Sequence, residues 1–431
     1  EIYMGDWSSD VCSSDLHAGT SHMLTLDLIQ TLAFGGVVLL MGYGLRRLIP
    51  PLARLNIPAP VIGGLLVAVA ILIARQQGVE LAKFDTTLQS PLMIAFFTTI
   101  GFGASLSMLR IGGPLVLRFF LLATAFAIAQ NIAGVLVAIP FGLDPLFGVL
   151  AGSVTLTGGP ATGLAFAPLF ESAGVQGAAS IAVAAAMGGI IFGGLVGGPV
   201  STFLIARYGL HPSANGAPPL IRKTITVEAV EDPTSDAPLA PGDDESTTLA
   251  LIRNVVAILV AMWLGSWVSA GFKAMDITLP AYIGAMLVAA AMRNLDDVTG
   301  WLGLSRRFID EFGAVALSLF LVLALMTLKL WELAGLALPL ITILIVQVVL
   351  VALICLPVFR VMGRNYEAAV MSGGFVGFML GTTANAMAVM RTLVERYGPA
   401  PTAFLVAPMV GAFFIDFTNA LIITFFLNIF T

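Results

Sequence analysis

One carboxylate, Asp416, lies near the middle of an apolar run, Phe413-Phe-Ile-Asp-Phe-Thr-Asn419. A charged side chain at the centre of a membrane helix costs about 2.5–3.5 kcal/mol on insertion scales, against a gain of about 0.3–0.6 from each apolar neighbour. Such residues usually face an ion pathway or a partner. No lysine or arginine is at hand in the run to pair with Asp416, so a bound sodium ion with Thr418 or Asn419 nearby would neutralise it, as would a bond to a neighbouring hydroxyl.

Two further stretches carry polar atoms where apolar ones are expected. The first reads Ala151-Gly-Ser-Val-Thr-Leu-Thr-Gly-Gly-Pro-Ala-Thr-Gly163. Gly158, Gly159 and Pro160 would break a helix there, and broken backbone at membrane depth persists only when buried in protein or lining a wet cavity. The break exposes carbonyls that can ligate a cation and helix N-terminal N–H groups that can hold a carboxylate. Thr157, Gly158, Gly159 and Thr162 are the substrate-binding candidates, and Ser153 and Thr155 join Asp416 and Asn419 as oxygen donors for sodium. The second stretch, Leu380-Gly-Thr-Thr-Ala-Asn-Ala386, offers Thr382, Thr383 and Asn385 for the same chemistry. Small residues also permit close helix crossing, so packing competes with function for both stretches. The glycine run Gly188–Gly198 is assigned to packing alone. Thr98 and Thr99 either line the pathway or bond their own helix, and Asp310 and Glu311, at a span end, are expected to cap it.

These residues need a frame of membrane-spanning helices. The 431-residue chain is 58% hydrophobic and 10% charged, where soluble domains are about 25% charged. So few charges could not cover the surface of a soluble protein of this size. The net charge of −5 excludes a nucleic-acid footprint. Two cysteines (Cys12, Cys355) and three histidines provide neither a disulfide framework nor a metal centre. No His-Glu-x-x-His motif and no paired aspartates mark an intramembrane enzyme, so no catalytic residue is assigned.

Ten apolar runs stand out, at 26–45, 60–74, 91–109, 115–139, 177–206, 250–272, 279–292, 309–328, 334–359 and 402–429, with the two glycine-rich stretches at 146–170 and 366–390. The side on which positive charge collects separates two topologies. If both glycine-rich stretches are re-entrant and the N-terminus is outside, sixteen of the 20 lysines and arginines are cytoplasmic, and only Arg75, Lys83, Lys273 and Lys329 are outside. If both stretches cross, the split is nine to eleven and the bias is gone. The re-entrant arrangement is therefore expected, with ten crossings and both termini outside. The proline-rich, acidic stretch 207–249 becomes a cytoplasmic linker.

An internal repeat accompanies this layout. Pro60-Val-Ile-Gly-Gly64 matches Pro280-Ala-Tyr-Ile-Gly284, and Gly152 and Gly159 match Gly374 and Gly381, 222 residues on. Each half, 23–206 and 250–431, then holds five crossings and one re-entrant segment. An odd number of crossings turns the second half upside down, an arrangement frequent in secondary transporters. The expected fold is an all-α polytopic membrane protein of two inverted repeats. Residues 1–22 include Asp6-Trp-Ser-Ser-Asp-Val-Cys-Ser-Ser-Asp-Leu16, which reads as a translated sequencing adaptor, and are set apart as a non-native leader.

From Met23 onward, outside the linker, the sequence resembles the bacterial sodium/glutamate symporter family. The most specific segment runs from Arg391-Thr-Leu-Val-Glu-Arg-Tyr-Gly-Pro through Gly411-Ala-Phe-Phe-Ile-Asp-Phe-Thr-Asn-Ala420, and Thr157-Gly-Gly159 and Gly381-Thr-Thr-Ala-Asn385 resemble the family's two re-entrant tips. The resemblance implies sodium-coupled uptake of glutamate across a bacterial inner membrane, a homodimer, and a transport domain moving against a fixed scaffold. Sodium is then the coupling ion and no other cofactor is implied. Where the family tends to read Gly-Gly-His-Gly-Thr, this chain has Gly158-Gly-Pro160-Ala-Thr162. That departure leaves another amino acid, or a di- or tricarboxylate, open as substrate. A channel is the alternative of another class.

Overall fold

The computed structural model describes residues 24–79, 81–212, 244–275, 279–333 and 335–431. The leader 1–22 and most of the linker lie outside the described residues.

The apolar runs fold into helices because, without water, backbone N–H and C=O groups must pair within their own segment. In the first half these are α1 (Leu28–Leu48), short α2 (Pro50–Arg54), α3 (Ala59–Gln76), α4 (Gln89–Phe102), α5 (Leu106–Ala138), α6 (Pro145–Val149), α7 (Gly159–Ser172) and α8 (Ala178–Tyr208). The second half has α9 (Asp244–Ala274), α10 (Tyr282–Thr299), α11 (Arg306–Met326), α12 (Ala337–Val361), α13 (Tyr366–Tyr397), α14 (Pro401–Met409) and α15 (Ile415–Phe430). A two-residue parallel pairing, β1 (Leu24–Thr25) with β2 (Ala82–Lys83), ties the start of α1 to the loop before α4. Among the described residues, eight helices are long and apolar enough to cross a membrane.

Several boundaries differ from the apolar runs. The run 91–109 is two helices, because the chain turns at Gly103–Ser105 and resumes as α5, which kinks at Gly113 (φ 58°) just before Pro114. The run 402–429 is parted by a wide helical turn at Val410–Phe414. Helices also reach into both ends of the linker, to Tyr208 and from Asp244. Asp310 and Glu311 do not cap α11. Ser305 is the N-cap residue, and the two acids instead face Arg306 and Arg307 one turn earlier, Glu311 at 2.9 Å and Asp310 at 3.8 Å. Their position in the second turn puts them beyond the free N–H groups a cap must reach.

Both glycine-rich stretches fold back on themselves. In α13 the helical path breaks at Gly381 and Thr382, and the arms then run side by side. Gly374 lies against Met390 and Gly377 against Ala386, where a Cβ on the glycine would come within 3.0 Å of the Ala386 Cα. At the base of this hairpin the Tyr366 hydroxyl donates to the Gly398 carbonyl. In the first half the path departs from helix at Gly152 and turns at Gly158–Gly159, bringing Gly163 against Thr155. Each hairpin starts on a side-chain cap, Asp144 accepting from Leu146 N and Asn365 from Ala368 N.

The helices sort into two bodies. One contains α1, α3, α4, α9, α10 and α11; the other contains α5 to α8 and α12 to α15. Each body thus takes elements from both halves of the chain. The second packs tightly because Gly189, Gly193 and Gly197, one turn apart on α8, let the α13 hairpin approach at Leu380, Asn385 and Gly373.

Candidate functional site

The hairpin tips meet each other. A Cβ on Gly159 would run into Thr382 Cγ2, so the two breaks touch across the middle of the second body. Both tips adopt backbone that side chains disfavour. Gly159 has φ +70°, open to glycine, whereas Thr382 has φ +84°, a strained setting for a β-branched residue. Strain of this kind costs about 1–3 kcal/mol and persists where the surroundings over-determine it.

A single side chain pins both tips. Gln130, buried in α5, accepts from Thr157 Oγ1 at 2.6 Å and donates to the Met379 carbonyl at 2.8 Å. Gln347, on α12, donates to the Gln130 carbonyl at 2.7 Å. Next to Gln130, Asn131 accepts from Ser153 N at 2.8 Å, and Asn419 Nδ2 donates to the Ser153 carbonyl at 3.0 Å. Around this loosened turn Ser153 Oγ, Asn419 Oδ1 and Asn131 Nδ2 are buried with no hydrogen-bond partner among the described residues. Buried polar atoms are paired in most proteins, so an unpaired set marks a place for an ion or water.

The tips open onto a cavity of about 450 Å³ at the boundary between the two bodies. Thr157, Gly158, Thr162, Thr382, Thr383 and Asp416 line it from the second body. Tyr43, Arg46, Pro60, Phe96, Phe97 and Leu321 are among the residues facing them from the first. Helix α7 starts at Gly159 and the return arm of α13 follows Thr382, so two helix N-termini begin at this cavity. Pro160 falls in the first turn of α7, where a missing N–H costs little.

Six of the residues singled out from sequence therefore share the cavity, with Gly159 at the contact between tips. Asn385 does not line it. Its Nδ2 donates to the Ile190 carbonyl at 3.1 Å, and its Oδ1 is unpartnered. Ser153, Thr155 and Asn419 are also away from the cavity wall and fully buried, with Thr155 Oγ1 donating to the Leu150 carbonyl. The four expected sodium donors are thus divided, Asp416 on the cavity and the other three behind the first tip. Thr98 and Thr99 bond their own helix, at Ile94 O and Phe96 O, and neither lines the cavity. The sequence reading passed over Gln130, Asn131 and Gln347. A signal existed, since Gln130 and Gln347 each stand inside a long apolar run ten residues before a proline, Pro140 and Pro357.

A bundle of long apolar helices around a part-polar central cavity defines a multi-pass helical membrane protein. The family model for the sodium/glutamate symporter matches residues 24–399. The sodium/glutamate symporter of Escherichia coli strain K12 is 41% identical over 407 residues, spanning 94% of this chain and 98% of that protein. The Haemophilus influenzae sodium/glutamate symporter is 38% identical over 400 residues, 92% of this chain and 96% of its own length. The chain belongs to the sodium/glutamate symporter family, whose named members are transporters and not enzymes. Among solved structures, a sodium proton antiporter from Methanocaldococcus jannaschii aligns over 94% of this chain and 98% of that chain, with a TM-score of 0.42 and 15% identity.

Proposed function

We propose that this protein is a sodium-coupled carrier that takes up glutamate by alternating access. The observation that carries the reading is the meeting of two hairpin tips on one cavity at the boundary between two bodies. Helix N-termini at such tips hold anionic substrate groups, and unwound carbonyls hold the coupling cation. Thr157, Gly158, Gly159, Thr162, Thr382 and Thr383 form the substrate side, with Asn385 bracing the second tip from behind. Sodium is held at the loosened turn by Ser153 Oγ and Asn419 Oδ1, with Thr155 next to it.

The same reading covers topology and motion. Each half supplies five crossings and one re-entrant hairpin, the second half inverted, with both termini outside and the linker in the cytoplasm of a bacterium whose inner membrane holds the protein. The distribution of arginine and lysine supports this. The body that carries both tips slides as an elevator against the other body, which serves as the scaffold of a homodimer. Another amino acid, or a di- or tricarboxylate, is the second reading, favoured by Pro160 at the tip.

Purified protein in liposomes is expected to accumulate radiolabelled glutamate when sodium is supplied outside. Equal accumulation with potassium in place of sodium sinks the coupling. Ser153→Ala removes one cation ligand, a charge-assisted contact of about 1.5–3 kcal/mol, so half-maximal uptake should need about tenfold more sodium or higher. An unchanged sodium dependence would place the ion elsewhere.

A further inference from the structure

We infer that Asp416 holds the ammonium group of the substrate, so that the cavity selects amino dicarboxylates over dicarboxylates without an amine. This rests on the reading of the chain as a glutamate carrier and reassigns a residue whose sequence setting suggested a sodium ligand.

The argument is one of charge placement. Two helix N-termini begin at the cavity, and Arg46 lines it from α1, so the site attracts anions. Asp416 nevertheless faces the same space. Among the described residues it has neither a hydrogen bond nor an ion pair. A plain dicarboxylate bound there would place its charges beside a carboxylate with no counter-ion, in a cavity walled by Phe96, Phe97 and Phe378 that weakens screening. Glutamate brings two carboxylates and one ammonium. The carboxylates match the helix N-termini and Arg46, and the ammonium matches Asp416.

Sodium has a separate place to bind. The unpartnered oxygens Ser153 Oγ and Asn419 Oδ1 are fully buried off the cavity wall, next to the loosened turn at Gly152. Were sodium to take Asp416 instead, the ammonium would face threonine hydroxyls and a like-charged arginine. Sites built to bond a polar group reject analogues that lack it, because their own buried group is left unpaired.

The test uses the full chain in liposomes, with sodium-driven uptake of radiolabelled glutamate competed by unlabelled glutamate or by glutarate, the same carbon chain without the amine. Glutarate should require at least about 100-fold more than glutamate for half-competition in the wild type. In Asp416→Asn the glutamate requirement should rise about 100-fold and the preference over glutarate shrink below about tenfold, with half-saturating sodium unchanged. Glutarate competing within about tenfold of glutamate in the wild type overturns the inference, and this arm needs no variant to fold. So does an Asn variant that keeps its discrimination while needing more sodium. If the wild type accumulates no glutamate, the carrier reading fails separately. The rise in unfolding midpoint with each ligand then becomes the readout, and equal rises, or none, overturn the inference.

Discussion

Gly159→Ala is expected to lower sodium-driven glutamate uptake by about 100-fold while leaving the protein folded, because placement errors near 1 Å at a reacting or binding centre cost about that much. Two effects combine. The residue has φ +70°, where an L side chain costs about 1–2 kcal/mol. The new methyl would also meet Thr382 Cγ2 on the opposite tip, and Thr382 cannot turn away freely because it is β-branched and itself held at φ +84°. The tips must part, and the cavity they share changes shape. Thr382→Gly in the same chain removes the methyl it would strike and relieves the backbone at 382, so the pair should recover part of the lost uptake. The measurement is a double-mutant cycle on initial uptake rates. Additive losses would show that the tips do not press on each other.

The second large effect lies at Gln130. Gln130→Met fills the same space but strands the Met379 carbonyl and the Thr157 hydroxyl, one on each tip. Each buried orphan costs about 1–3 kcal/mol, so a loss of about 2–6 kcal/mol is expected together with loss of uptake. Gln347→Met is the informative partner. Gln347 gives a single bond to a main-chain carbonyl, and its Oε1 is already unpartnered, so its replacement should be much milder. Thermal unfolding and uptake of both variants check this. Equal losses in the two would remove Gln130 from its role as the tie between hairpins.

Much of the architecture is legible along the chain because it is local. Gly158-Gly159-Pro160 weakens a helix strongly and Gly381-Thr382 more modestly, and both segments do break and fold back there. Gly159 and Gly381 each stand at a turn, whereas Gly152 leaves the helical path and Gly374 stays within it, against Met390. Local reading was less exact about what a polar side chain does within its own helix. Asp310 and Glu311 look like caps from their place near a span end, yet they sit one turn too far in and face arginines instead. Of the two readings open for Thr98 and Thr99, the structure takes the local one, with both hydroxyls bonded to their own helix.

The same division runs through the site. Composition, apolar run length and the glycine-proline breaks determined by themselves that this is a many-helix membrane protein with two broken segments, because insertion energies and backbone pairing act residue by residue. Only the tertiary structure decided that Gln130 joins Thr157 to Met379, residues lying 27 and 249 positions away from it. It alone put Asp416 on the cavity, and Ser153 with Asn419 behind the tip, although the sequence offered all three as donors to one ion. The reason is physical. Which faces of distant helices meet depends on how the whole bundle packs, and glycines such as Gly189 and Gly193 reveal their partners only once the hairpin lies against them.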